Sequence, residues 1–203
     1  MPHTLFLASG SRSRKQLLTE AAIPFTIISH TADEKVDDPT LPLADIVSAL
    51  AVQKMESVVL PEHIEQETIF ILTADSLVRG PDGTIYGKPR DKADAVRMLQ
   101  AHETGHMSTG FCIERRVKKA GQWVVEKRIV QAVNADFQCS VPDQWIEPYF
   151  KHVPYYMTAA SALNIEGFGA QFVKTINGSY TTVLGLPIFE VREALEQIGF
   201  FEK

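Results

Sequence analysis

Apolar residues recur along this chain in two rhythms. Residues 4–8, Thr-Leu-Phe-Leu-Ala, are a short apolar run that predicts a buried strand, and residues 67–74, holding Ile69-Phe-Ile-Leu72, predict another. Pro24 opens a further strand over 25–28. The helical rhythm appears at 14–22, with Leu17, Leu18 and Ala21 on one face, and at 43–58, with apolar residues at 43, 46, 47, 50, 51 and 58. Between these, the polar stretch 30–42 reads as a loop carrying Asp33, Glu34, Asp37 and Asp38. Residues 77–88 predict a hairpin turning at Pro81-Asp-Gly83. Asp91 caps the next helix, Asp94 lies in its first turn, and Ala95, Met98 and Leu99 form its inner stripe.

Residues 106–139 alternate and are rich in strand formers, with a turn at Ala120-Gly121. A short helix follows Pro142 at 143–150, and residues 167–180 hold the run 170–176 and a turn at Asn177-Gly178. The last helix starts at Pro187, carries Ile188, Val191, Leu195 and Ile198 inward, and stops at Gly199. Alternating strands and helices followed by a strand-rich middle predict an α/β protein with a mixed sheet.

At 203 residues the chain suits one domain, residues 1–203, with a core large enough to need no staples. Cys112 and Cys139 are its two cysteines, which excludes a disulfide scaffold and a four-cysteine zinc site. A net charge of −5 argues against a general nucleic-acid binder. No apolar run is long enough for a membrane span, and the opening segment lacks the order of a secretion signal. A soluble, cytoplasmic protein without nucleic-acid or membrane partners is the expectation.

Chemistry concentrates at a few junctions. Leu7-Ala-Ser-Gly-Ser-Arg-Ser-Arg14 joins a strand to a helix. Free amides, the helix dipole, three serine hydroxyls and two arginines make it a phosphate cradle; the plainer reading is a serine cap with solvated arginines. It matches neither a Walker loop nor a dinucleotide fingerprint. Asp75 follows a central strand, where ligands collect in open α/β sheets, and a carboxylate there can hold a metal or take a proton from water. Lys54 falls on the apolar stripe of its helix, so it either meets an anion or snorkels at the stripe's edge. Lys88 sits in the rigid bend Gly87-Lys-Pro89. Asp33 and Glu34 gain interest only if they face Asp75. Neither the histidines, with His102 and His106 four apart, nor the cysteines show a ligand or nucleophile pattern. The set suits metal-assisted chemistry on a polyphosphate.

In order along nearly the whole chain, these segments resemble the Maf family of nucleoside triphosphate pyrophosphatases. The matching blocks are Leu7-Ala-Ser-Gly-Ser11 with Arg14 and Leu17-Leu18, Asp33-Glu34, Lys54, Ala74-Asp75, Gly87-Lys-Pro89, Thr109-Gly110, Glu166-Gly-Phe-Gly169 and Val183-Leu-Gly-Leu-Pro187. Two departures stand out. Many members follow Ser-x-Ser with Pro-Arg-Arg, where this chain has Arg12-Ser13-Arg14; many carry an acidic and a basic residue before Ala-Gly-Ala-Tyr, where residues 155–163 have neither.

The resemblance implies a twisted mixed β-sheet with flanking helices, in two lobes around a central cleft, as in inosine triphosphatases. It implies hydrolysis of a nucleoside triphosphate between the α and β phosphates. Asp75 would be catalytic, and Ser9, Ser11, Arg14, Lys54 and Lys88 would bind phosphate. Glu34 and Asp75 would hold a divalent cation, Mg or Mn. Three positions that select the base correspond to Ser13, Ser76 and Glu166. Glu166 and the absence of arginine at 13 lean toward 7-methyl-GTP, since a carboxylate accepts from guanine N1–H and its 2-amino group. The alternatives are a dTTP/UTP pyrophosphatase and a nucleotide-binding regulator of cell division without turnover. The strand-rich middle suggests a homodimer.

Overall fold

The computed structural model of the chain describes residues 3–101 and 103–202, so the expectation for His102 lies outside the described residues. One eight-stranded sheet organises the molecule, in the order β3-β2-β1-β4-β6-β7-β8 with the short β5 also on β4. Strand β1 (Leu5–Ala8) lies between β2 (Phe25–His30) and β4 (Thr68–Arg79) and is parallel to both. Helix α1 (Arg12–Glu20) makes the crossover from β1 to β2. Strand β3 (Val58–Val59) closes that edge. On the other side of β4 the sheet turns antiparallel through β6 (Thr104–Lys119), β7 (Gln122–Cys139) and β8 (Val173–Gly178).

Side-chain alternation explains the unbroken apolar runs. Leu5 and Leu7 of β1, Phe70, Leu72 and Ala74 of β4, and Phe111 and Ile113 of β6 share one face. There they pack with Leu17 and Leu18 of α1 and with Val191, Ala194 and Leu195 of α6 (Ile188–Gln197). Phe6, Ala8, Ile69, Ile71 and Cys112 point the other way, onto Ala51 and Met55 of α2 (Leu43–Glu56). A strand covered on both faces has no polar side to show. A second lobe is built from α3 (Lys92–Ala101), α4 (Asp143–His152) and the 3-10 turns between residues 156 and 172, around Leu99, Ile146, Tyr149, Phe150 and Phe172. Helix α5 (Tyr180–Val183) links β8 back to α6. Among the described residues no helix is long and apolar enough to cross a membrane.

Several boundaries differ from the sequence reading. Helix α1 starts at Arg12 rather than 14, because the Ser11 hydroxyl accepts from the Arg14 amide as N-cap. It stops before Ala22, whose φ of 53° ends the helical path. Strand β4 does not end at Ala74. Its pairing with β6 is unbroken from Thr68↔Val117 to Arg79↔His106, so the expected strand and the first arm of the expected hairpin are one element. The second arm is β5 (Ile85–Tyr86), reached by the turn at Pro81-Asp-Gly83. Finally, Gly167–Phe172 is 3-10, and extended backbone begins only at Val173.

Candidate active site

The site lies where the sheet changes character. Pairing between β1 and β4 ends at Leu7↔Leu72. Beyond it β1 gives way to the Ser9–Ser11 loop, while β4 continues and carries Asp75 into the gap. Asp75 therefore sits inside a strand, at the end of its parallel stretch rather than at the strand's own terminus. Thr73 and Asp75 follow Ile69 and Ile71 on the face covered by α2, and the Thr73 hydroxyl donates to the Ala51 carbonyl at 2.6 Å.

Helix α2 delivers the partner. Lys54 continues the buried stripe of Val47, Leu50 and Ala51 and is 4% exposed. Its Nζ donates to Asp75 Oδ1 at 2.5 Å and lies 3.1 Å from Glu34 Oε1. The lysine thus meets two carboxylates. On the far side of Glu34, Lys88 Nζ approaches Oε2 at 3.7 Å, and His30 Nε2 lies 4.0 Å from Oε1. Burial works against the Glu34 carboxylate, but Lys54 and Lys88 outweigh it and hold its pKa below the usual range. Burial lowers the pKa of His30, the charge of Lys54 adds to that, and Glu34 opposes it.

Two features of the sheet hold α2 this low. Gly110, opposite Asp75 in register, lies directly under the helix: a Cβ there would stand 2.6 Å from the Val47 carbonyl. At the helix C-terminus, Arg116 donates to the Met55 carbonyl and Arg128 lies 3.4 Å from Glu56. Both arginines also pair with the fully buried Glu114, at 2.5 and 2.6 Å. Cations at that end complement the helix dipole.

Arg14 borders the cavity and is held from within the protein. Its buried guanidinium donates to the carbonyls of Gly185 and Ala74, both at 2.8 Å, to Ser9 Oγ at 3.2 Å and to Ser76 Oγ at 3.1 Å. Four of its five N–H groups are thereby committed within the protein. It stitches the serine loop, β4 and the loop before α6 into one floor. Burial lowers its pKa, and Asp75 and Glu34 counter that.

These residues surround a cavity of about 400 Å³. Ser9, Gly10, Ser11 and Ser13 form one wall, Asp75 and Ser76 the floor, and residues 158–161 the opposite wall. A family model for Maf-like proteins matches residues 4–198. The chain belongs to the Maf family. Among curated Maf relatives it is 33% identical over 208 residues to the dTTP/UTP pyrophosphatase of Bordetella parapertussis, covering 98% of this chain and 94% of that one. It is 33% identical over 205 residues to the dTTP/UTP pyrophosphatase of Acholeplasma laidlawii, covering 98% of each. A nucleoside triphosphate pyrophosphatase of Prochlorococcus marinus is 31% identical over 207 residues, covering 96% and 97%.

Of the residues expected in a Maf site, Ser9, Ser11, Ser13, Arg14, Glu34, Lys54, Asp75, Ser76 and Lys88 all border this one cavity. Glu166 lies outside its lining, half-buried, with its amide donating to Asn164 Oδ1 at 2.9 Å. Ser76 is tied down by Arg14 and by a 2.8 Å hydrogen bond with Thr109 Oγ1. Sequence reasoning missed His30, which ends β2 beside the serine loop and whose buried Nδ1 has no partner among the described residues. A polar residue at the C-terminal end of a parallel strand was the available signal.

Proposed function

We propose that this Maf protein hydrolyses the α–β phosphoanhydride of a nucleoside triphosphate, releasing a monophosphate and pyrophosphate. The observation that carries the reading is the buried Lys54–Asp75 pair, facing the serine loop at the start of α1 across one cavity. Loop amides and the hydroxyls of Ser9 and Ser11 take phosphate oxygens at the helix start. Lys54 and Lys88 neutralise charge building on the leaving pyrophosphate. Asp75, held by Lys54, orients the attacking water and accepts its proton. Arg14 positions the loop and the floor.

The carboxylates suit a divalent ion that arrives with its nucleotide. Glu34 and Asp75 both reach Lys54 Nζ, within 3.1 Å, yet no group of three metal-ligating side chains occurs among the described residues. Mg typically takes one or two carboxylates plus phosphate oxygens and water. Mg or Mn bound by Glu34 and Asp75 would neutralise polyphosphate charge.

Two readings of the base compete. Glu166, together with Ser13 in place of arginine, favours 7-methyl-GTP. The names of the relatives favour dTTP or UTP, and the position of Glu166 outside the cavity lining removes weight from the first. One panel separates them: pyrophosphate release from 7-methyl-GTP, GTP, ITP, dTTP, UTP and CTP with Mg or Mn, beside Asp75→Asn. Asp75→Asn should lower turnover about 10²-fold or more and keep nucleotide binding. Binding without turnover in the parent protein would replace the enzyme with the regulator.

A further inference from the structure

The charges around the cavity nearly cancel. Lys54, Lys88 and Arg14 face Glu34 and Asp75, a surplus of one positive charge, and Arg14 is largely committed to backbone carbonyls. Residues 155–163, which supply the opposite wall, carry no charge at all. Even with one divalent ion bound at Glu34 and Asp75, a triphosphate carries more negative charge than this surplus answers.

One more cation stands at the rim. Arg12 is the first residue of α1, between Ser11 and Ser13, which both line the cavity. Its side chain is exposed, and among the described residues no carboxylate pairs with it. Instead its guanidinium lies over the ring of Tyr155, with Cζ 4.1 Å from the centroid. Tyr155 packs against the second lobe, three residues ahead of the wall that begins at Thr158. Neither residue lines the cavity itself; the contact joins a neighbour of the serine loop to a neighbour of the 158–161 wall.

As it stands this placement is poor electrostatics. A positive charge in the first turn adds to the positive end of the helix dipole. The ring face returns only a weak attraction to an exposed cation. An anion at the helix start reverses both effects, because it satisfies the dipole and gives the guanidinium a two-pronged oxygen partner. The scissile bond must lie against Asp75 on the buried floor. Of the two ends of the substrate, the polyanionic one matches the helix start, the serine hydroxyls and a free guanidinium.

We propose that Arg12 is a phosphate-binding residue, resting over Tyr155 in the free protein and moving onto the pyrophosphate portion of the triphosphate when the nucleotide fills the cavity. The inference rests on the pyrophosphatase reading of that cavity.

Calorimetric titration of the full chain tests it. The probes are the non-hydrolysable α,β-methylene analogues of dTTP and GTP, with dTMP and GMP for comparison; the variants are Arg12→Ala, Arg12→Lys and Tyr155→Leu. Arg12→Ala should weaken triphosphate analogues about tenfold or more, the scale of a lost charge-assisted hydrogen bond, and leave monophosphates within about twofold. Arg12→Lys, which keeps the charge, should recover part of the loss. Tyr155→Leu should leave analogue affinity within about threefold, since the ring is only a resting place. A purely structural bridge needs both partners, so equal losses from Arg12→Ala and Tyr155→Leu on every ligand would overturn the proposal. Unchanged analogue affinity in Arg12→Ala would also overturn it, while leaving the pyrophosphatase reading standing if the parent protein turns over substrate. A parent protein that neither binds the analogues nor releases pyrophosphate would remove both.

Discussion

Replacing Gly110 by alanine puts the link between packing and chemistry to a direct test. The added Cβ would meet the carbonyl carbon and oxygen of Val47 at 2.6 Å and the Ser48 amide nitrogen at 2.8 Å, where ordinary contact begins at 3.4 Å. The deficit of 0.8 Å (3.4 minus 2.6) falls on backbone atoms inside a 14-residue helix, which no side-chain rotation relieves. Helix α2 must lift or tilt. Overpacking of this kind costs about 1–3 kcal/mol, and each kcal/mol lowers Tm by about 2–4 °C in a chain of this size. Lys54 lies seven residues beyond Val47, two turns on and on nearly the same face. A lift carried rigidly along the helix would stretch the 2.5 Å contact with Asp75 to about 3.3 Å. The assay is urea unfolding together with pyrophosphate release. Gly87→Ala serves as control, because a Cβ there meets nothing within 4 Å. Gly110→Ala should lose both stability and turnover, and the control should keep its stability within about 0.5 kcal/mol. Unchanged Tm and turnover in Gly110→Ala would refute the claim that the seat of α2 sets the lysine.

Two further outcomes follow from local chemistry. Ser161 has φ 54° and a buried hydroxyl with no partner among the described residues, so Ser161→Gly should relieve both defects and stabilise the chain by about 1 kcal/mol in urea unfolding; a loss of stability would count against the strain argument. Glu34 has its folded-state pKa depressed, so its contribution to stability is present above the ordinary carboxylate pKa of 4.5 and disappears as pH falls through the lower folded value. The difference in unfolding free energy between the parent and Glu34→Gln should be present at neutral pH and shrink in acid. A difference that grows there would contradict the ion-pair account.

Much of the site was legible because its residues break a local pattern. Lys54 is a lysine on an apolar stripe, Asp75 a carboxylate at the end of an apolar run, and Ser9 to Arg14 a polar loop between a strand and a helix. Each reports a buried charge or a free helix end without knowledge of its neighbours. The internal contacts of Arg14 were not legible, because its carbonyl partners at Ala74 and Gly185 lie far away in sequence. The opposite wall at 158–161 was hidden for another reason. Two 3-10 turns meet there at an extended Ala159, with positive φ at Ser161 and at the next residue, Ala162, and no hydrophobic period to read. The length of β4 was missed because its second half is specified by its partner β6, which lies some thirty residues further along the chain.

The change of strand direction at β4 also bears on the order in which the molecule assembles. Strands β6 and β7 are joined by the tight turn at Ala120-Gly121, so their pairing zips up from neighbours in sequence. The β1–β4 register brings Leu5 to Phe70, 65 residues away, and its loop must close before any contact repays the lost entropy. The cavity needs both halves, since its floor comes from β4 and one wall from the loop after β1. A chain holding only the antiparallel half would have a sheet but no pocket, so turnover regained on refolding should report the closure of the β1–β4 pairing.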